Sequence, residues 1–185
     1  MTPTPEDCPK LLRRAVKSWA VVVGCGLVLA ALITVLSVAG RALAPLGLHA
    51  ISGDFELIEL ATGIAVFGFL GFAHMEGKHV SVGVLVDRFP PRARAFLGGV
   101  SEILMAIVAG ILLWRLYLGF AEKFPYGPEG LRSVLAMGSK PFFAETTYEL
   151  QIEIWIPYAL CLVGAALFFA VAMVRAIQSL KRGDA

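Results

Sequence analysis

The sequence predicts an all-α membrane protein with four transmembrane helices, both termini in the cytoplasm, and a short amphipathic interfacial helix between spans two and three. Three observations predict it. The 185 residues are 58% hydrophobic and only 16% charged, a balance outside the range of soluble chains. The runs between Lys17 and Arg41 and between Glu153 and Arg175 hold no charged residue, and each exceeds the ~20 residues that cross a ~30 Å hydrocarbon core. Lys and Arg gather in the segments that four spans leave on one side, which the positive-inside tendency makes the cytoplasm. With no stretch left for a soluble domain, residues 1–185 read as one integral membrane domain.

Span one covers about 18–40. Its apolar core is far longer than the 7–15 residues of a secretory h-region, so it reads as a retained anchor despite the Ala-Leu-Ala at 42–44. Arg13-Arg14 lacks the remainder of a twin-arginine signal and reads as membrane-surface charge. Span two, about 55–74, opens with Glu56 and Glu59. These carboxylates suit the positive end of the helix dipole and share a face with Gly63, Val66 and Leu70.

Between spans two and three, Val80, Val82, Val84 and Val86 alternate as a strand would, but a lone strand has no hydrogen-bonding partner. The helical template also fits: Val82, Leu85, Val86 and Phe89 share a face, with Ser81, Asp87 and Arg88 opposite. An amphipathic helix lying in the interface is therefore expected, ended by Pro90-Pro91.

Span three, about 95–121, carries Glu102 and Arg115. Glu102 lies about seven residues in, roughly 10 Å deep at 1.5 Å per residue. A charge at the bilayer centre costs at least ~2.5–3.5 kcal/mol, so Glu102 is expected to face protein, pair with a cation or be protonated. A proton or ion relay and a polar contact joining helices both remain open. Arg115 is too far along the helix to meet it, and either snorkels outward or pairs with another helix.

An extended periplasmic loop follows at about 122–153. Phe-Pro-Tyr-Gly-Pro-Glu-Gly is turn chemistry, Leu131–Met137 has room for one or two helical turns ending at Gly138, and Thr146 with Glu149 has the spacing of a capping box. Span four is placed at about 154–175. If its helix starts near 147, Pro157 kinks it; if near 155, Pro157 falls harmlessly in the first turn.

Orientation follows from eleven of the 16 basic residues. Lys10, Arg13, Arg14 and Lys17 precede span one, Lys78, Arg88, Arg92 and Arg94 lie between spans two and three, and Arg175, Lys181 and Arg182 close the chain. Arg41, Lys123, Arg132 and Lys140 make up the other side, and Arg115 lies inside span three. Cys8, Cys25 and Cys161 form no metal or disulfide pattern and read as small apolar packers. His74 and His79 flank the membrane edge while His49 lies on the far side, a poor arrangement for haem. Ala20/Gly24 and Ala106/Gly110 offer close helix contacts. No nucleophile elbow, phosphate loop, zinc-protease motif or basic nucleic-acid face is present, so neither catalysis nor a cofactor is expected.

The region around 55–95 is similar to the signature of the small membrane subunit, the Q-type small permease, of tripartite ATP-independent periplasmic (TRAP) transporters. The resemblance rests on Glu56 and Glu59; Phe69, Leu70, Gly71 and Ala73; Gly77, His79, Val80 and Val82; and Arg88, Phe89, Pro90 and Arg94. Glu76 and Gly83 depart from the pattern. The resemblance extends, less specifically, over about 10–180.

It implies a non-enzymatic subunit of the bacterial inner membrane. This subunit would pair with a large multi-span subunit that carries the sodium and substrate sites, and a periplasmic solute-binding protein would deliver an organic acid. Glu56, Glu59, His79, Arg88, Glu102 and Arg115 are then candidates for subunit-interface or structural roles. Gly77–Pro90 and Glu102 would anchor the large subunit, and the outer loop would help dock the binding protein. Competing readings are a four-helix membrane anchor of a redox complex and a standalone transporter, the latter disfavoured by small size and lack of an inverted repeat.

Overall fold

The computed structural model describes residues 8–77 and 90–183. Its elements are helical: α1 (Lys10–Ala42), a 3-10 turn (Ala44–Leu46), α2 (Asp54–Met75), α3 (Pro91–Lys123), α4 (Glu129–Val134) and α5 (Trp155–Gly183). Among the described residues, the one β feature is an isolated antiparallel bridge between Thr146 and Glu153. Helices α1, α2, α3 and α5 are long and apolar enough to cross a membrane. The expected interfacial helix, with His79 and Arg88, lies outside the described residues.

Helix ends follow the local sequence. Pro91 opens α3 at the first helical position, where its missing N–H costs nothing. Phe124 leaves the helix in an extended conformation because Pro125 disfavours the α region in the residue before it. Helix α5 starts at Trp155, so Pro157 sits in its first turn and kinks nothing. That settles the start left open at 147 or 155. Thr146 and Glu149 do not form a capping box: Thr146 bridges to Glu153, and the Glu149 carboxylate accepts the Gly53 N–H. At 33 residues each, α1 and α3 run about 50 Å at 1.5 Å per residue and so project beyond the spans read from hydropathy.

The helices stand in the order α1, α2, α5, α3, with α5 between α2 and α3 and α1 on the far side of α2. Along α3 and α5, Ala106 and Ala109 pack on Phe168, Ala172 and Ala176. Helix α1 reaches α5 chiefly near its own start, where Cys8 and Val16 join Met75 and Val171. The start of α1, the end of α2 and the end of α5 therefore share one end of the array, and the first and last described residues lie there.

In lipid the hydrophobic effect cannot drive helices together, so close packing must. Small residues permit it. A Cβ on Gly164 would stand 2.7 Å from the Phe67 carbonyl of α2, one on Gly68 would meet Val23 at 2.9 Å, and one on Gly110 would meet Phe169 at 3.2 Å. The Ala20/Gly24 and Ala106/Gly110 pairs both lie at such contacts, Gly24 against Phe69 of α2. Of the cysteines, Cys8 is buried and Cys161 half-buried, but Cys25 is exposed on α1.

Candidate functional site, a buried charge clamp

At the end of the array that carries the start of α1 and the end of α5, three helices meet through charged groups. Glu102 lies on the α3 face that continues through Ala106 and Ala109, one and two turns on. That face is buried against α5. Arg175 continues the buried face of α5 after Phe168, Val171 and Ala172 and is itself only 4% exposed. Its Nε and Nη2 both donate to Glu102 Oε1, at 3.0 and 2.8 Å. The other carboxylate oxygen, Oε2, lies 3.3 Å from His74 Nε2. The His74 ring stands edge-on to Phe168, with centroids 5.6 Å apart.

Arg175 also ends α2. Gly77, at φ +63°, takes the left-handed conformation that commonly closes a helix, and its N–H bonds the His74 carbonyl. The last carbonyls of a helix lack partners inside it and carry the negative end of its dipole. Arg175 Nη1 donates to two of them, His74 O at 2.8 Å and Met75 O at 3.3 Å. One guanidinium thus holds α2, α3 and α5 together with charge-assisted bonds, the strong class of hydrogen bond.

Hydropathy places Arg175 among the cytoplasmic rim charges; the structure corrects that, because it is a core residue. Its spacing of seven, four and three from Phe168, Val171 and Ala172 was the available signal. Glu102 does pair with a cation, as one of its three expected options.

A second polar lattice ties loops to helices at the opposite end. Asp54 accepts from Ser37 at 2.6 Å and from Arg41, and the Arg41 guanidinium lies 5.1 Å over the Phe55 ring. Glu56 accepts the N–H groups of Glu149 and Leu150 at 2.8 and 2.9 Å, while Gly53 N–H donates to the Glu149 carboxylate. This exchange pins the outer loop to the start of α2. Lys123 pairs with Glu145 at 2.9 Å. Tyr126 donates to Glu153, which holds the phenol above its usual pKa.

The organiser of the loop is Arg132, which sequence reasoning treated only as a charge on the outer side. It is 2% exposed and donates to six carbonyls: Ala121, Phe124, Tyr126, Met137, Gly138 and Ser139. No sequence pattern marks such a role.

The remaining candidates do not converge. Glu59 is exposed on α2, and Arg115 is exposed on α3 with no ion pair among the described residues. Among the described residues, no group of three or more His, Cys, Asp or Glu side chains is placed to hold a metal ion.

A family model described as "Tripartite ATP-independent periplasmic transporters, DctQ component" matches residues 30–182. Neither a curated protein nor a solved structure matches the chain.

Proposed function

Since the chain belongs to the DctQ-component family of tripartite ATP-independent periplasmic transporters, a multi-pass transporter component rather than an enzyme, we propose that it is the rigid frame against which a large transport subunit moves. The observation that carries this reading is the clamp. Arg175, Glu102 and the end of α2 lock three helices at one end, and the Glu56–Glu149 exchange locks the loop at the other.

In this reading the complex sits in the bacterial inner membrane with both termini cytoplasmic, in keeping with the basic residues at that end. The large subunit carries sodium-coupled uptake of an organic acid. It docks on the exposed apolar length of α1 or α3, together with the segment 78–89. A periplasmic solute-binding protein meets the outer loop, where Phe142, Phe143 and Tyr148 stand exposed.

The redox-anchor alternative needs histidines facing one another across the bundle. Instead His74 lies against Glu102 and Phe168, and His49 is exposed at the opposite end.

The test is a mild-detergent pull-down of the tagged chain from native membranes, followed by reconstitution of what it captures. The proposal expects a large multi-span partner and sodium-dependent uptake of an organic acid that disappears when the small chain is left out. Uptake by the large partner alone, at the same rate, would remove the frame role. Capture of a haem-bearing partner instead would restore the redox anchor.

A further inference from the structure

Helix α4 is built inside out for a helix in water. At about 100° per residue, Leu131, Val134 and Leu135 fall on one side, and all three are exposed, Val134 at 84%. Arg132, the residue a soluble helix would turn to solvent, is the buried one. Glu129 and Ser133 lie on the side opposite Leu131, and both are exposed. The six residues therefore present three directions: apolar, protein-facing and polar.

Two contacts fix where the apolar side stands. The Tyr117 hydroxyl donates to the Leu135 carbonyl, and Arg132 binds Ala121 O and Phe124 O. Helix α4 is thereby strapped alongside the last turns of the α3 span, which ends at Lys123. Trp114, one turn before Tyr117 on a neighbouring face, and Leu118 are exposed on α3, so its apolar flank continues directly into Leu131, Val134 and Leu135.

At the same level lies a group of aromatic rings. Phe120 stacks on Phe124 at 5.1 Å, Phe124 meets Trp155 at 5.2 Å, and Tyr126 meets Trp155 at 6.1 Å. Tyr and Trp concentrate where hydrocarbon gives way to headgroups.

We propose that α4 is an interfacial anchor, with Leu131, Val134 and Leu135 in the acyl boundary of the leaflet at the loop end of the bundle and Glu129 and Ser133 turned to water. The occupant is lipid because the face is continuous with the lipid-facing side of a spanning helix, held at the level of its aromatic ring. The carbonyl cage then explains itself. Burying Arg132 against protein turns its charge away from the membrane-facing side, while giving its donors partners. The inference is independent of which transporter partner binds, and it holds for either orientation in the membrane.

The unmodified chain, reconstituted in phosphatidylethanolamine/phosphatidylglycerol nanodiscs, provides the test. One sample is labelled with a bilayer-soluble carbene precursor and a second with water-borne hydroxyl radicals, both read residue by residue by mass spectrometry. The expected result is carbene labelling at Leu131, Val134 and Leu135, with radical labelling there, corrected for the intrinsic reactivity of each side chain, well below that of Tyr148, which is exposed on the same loop. With each residue's labelling normalised in this way, radical labelling of Val134 at the level of Tyr148 would put α4 in water and overturn the proposal. Absence of both labels would mean that protein, a second copy of the chain, covers the face, and would overturn it equally.

Discussion

Replacing Arg175 by Met should be among the most damaging single changes available in the described chain, and replacing its partner at the same time should undo most of the damage. The Glu102 side chain is 13% exposed, and without Arg175 it would keep only His74 beside it. The end of α2 would also lose the donor to His74 O and Met75 O. Removing one member of a buried pair costs about 3–5 kcal/mol, while exchanging both for apolar residues of similar volume is often neutral or better. A neutral interhelical hydrogen bond in a bilayer averages only about 0.6 kcal/mol, so the two mechanisms differ enough to be separated.

The cycle comprises Arg175→Met, Glu102→Leu and the double variant. Each is unfolded with increasing SDS in mixed micelles and followed by the fluorescence of Trp19, Trp114 and Trp155. Each single variant should lose at least about 2 kcal/mol, with the double variant within about 1 kcal/mol of the parent, a coupling at or beyond the top of the 0.5–3 kcal/mol range for residues in contact. Losses of a few tenths that simply add would refute the clamp as an energetic unit, and its assignment as the carrier of rigidity would fall with it.

Gly164→Ala should destabilise by about 1–3 kcal/mol, the usual cost of overpacking, because the new Cβ would meet Phe67 backbone at 2.7 Å. Gly98→Ala, on α3 with nothing within 4 Å, should instead gain up to about 1 kcal/mol from helix propensity; the same SDS titration reads both. Arg132→Met should leave the four spans folded but free the loop. Brief proteolysis of the reconstituted protein should then cut within residues 126–145 well before the parent is cut, and Arg132→Lys should not rescue it, because an ammonium cannot reach six carbonyls arranged around a planar guanidinium.

The spanning helices were legible because lipid imposes its demand on every residue of a span at once: enough apolar length, no free backbone groups. Where α5 starts was not legible. Thr146 and Glu149 have the right spacing for a cap, yet Glu149 instead reaches Gly53, 96 residues away in sequence. The Glu102–Arg175 pair was half legible. The depth of Glu102 made a cation one of three options, but finding it required knowing that α5 lies between α2 and α3, an arrangement in which Gly164 packs on Phe67 and which hydropathy does not specify. Arg132 was invisible because carbonyl acceptors carry no residue identity. Glu59 and Arg115 stood beside Glu102 as structural candidates, and packing separates the buried acid from the exposed pair.

The central position of α5 also sets the order in which the protein is made. Helices α1 and α2 are neighbours in sequence and in space, so nothing later in the chain is needed for them to pair. Helix α3 has no such companion, for its extensive contacts are with α5. Glu102 therefore enters the bilayer 73 residues ahead of Arg175, a wait of about 4–15 s at 5–20 residues per second. Through that interval the carboxylate has only His74 of α2 to turn to among its clamp partners, unless it stays near the headgroups or is sheltered by the insertion machinery. The last helix to emerge is the one that releases it, so truncation near the C-terminus would strand a half-assembled membrane protein with an acid in lipid.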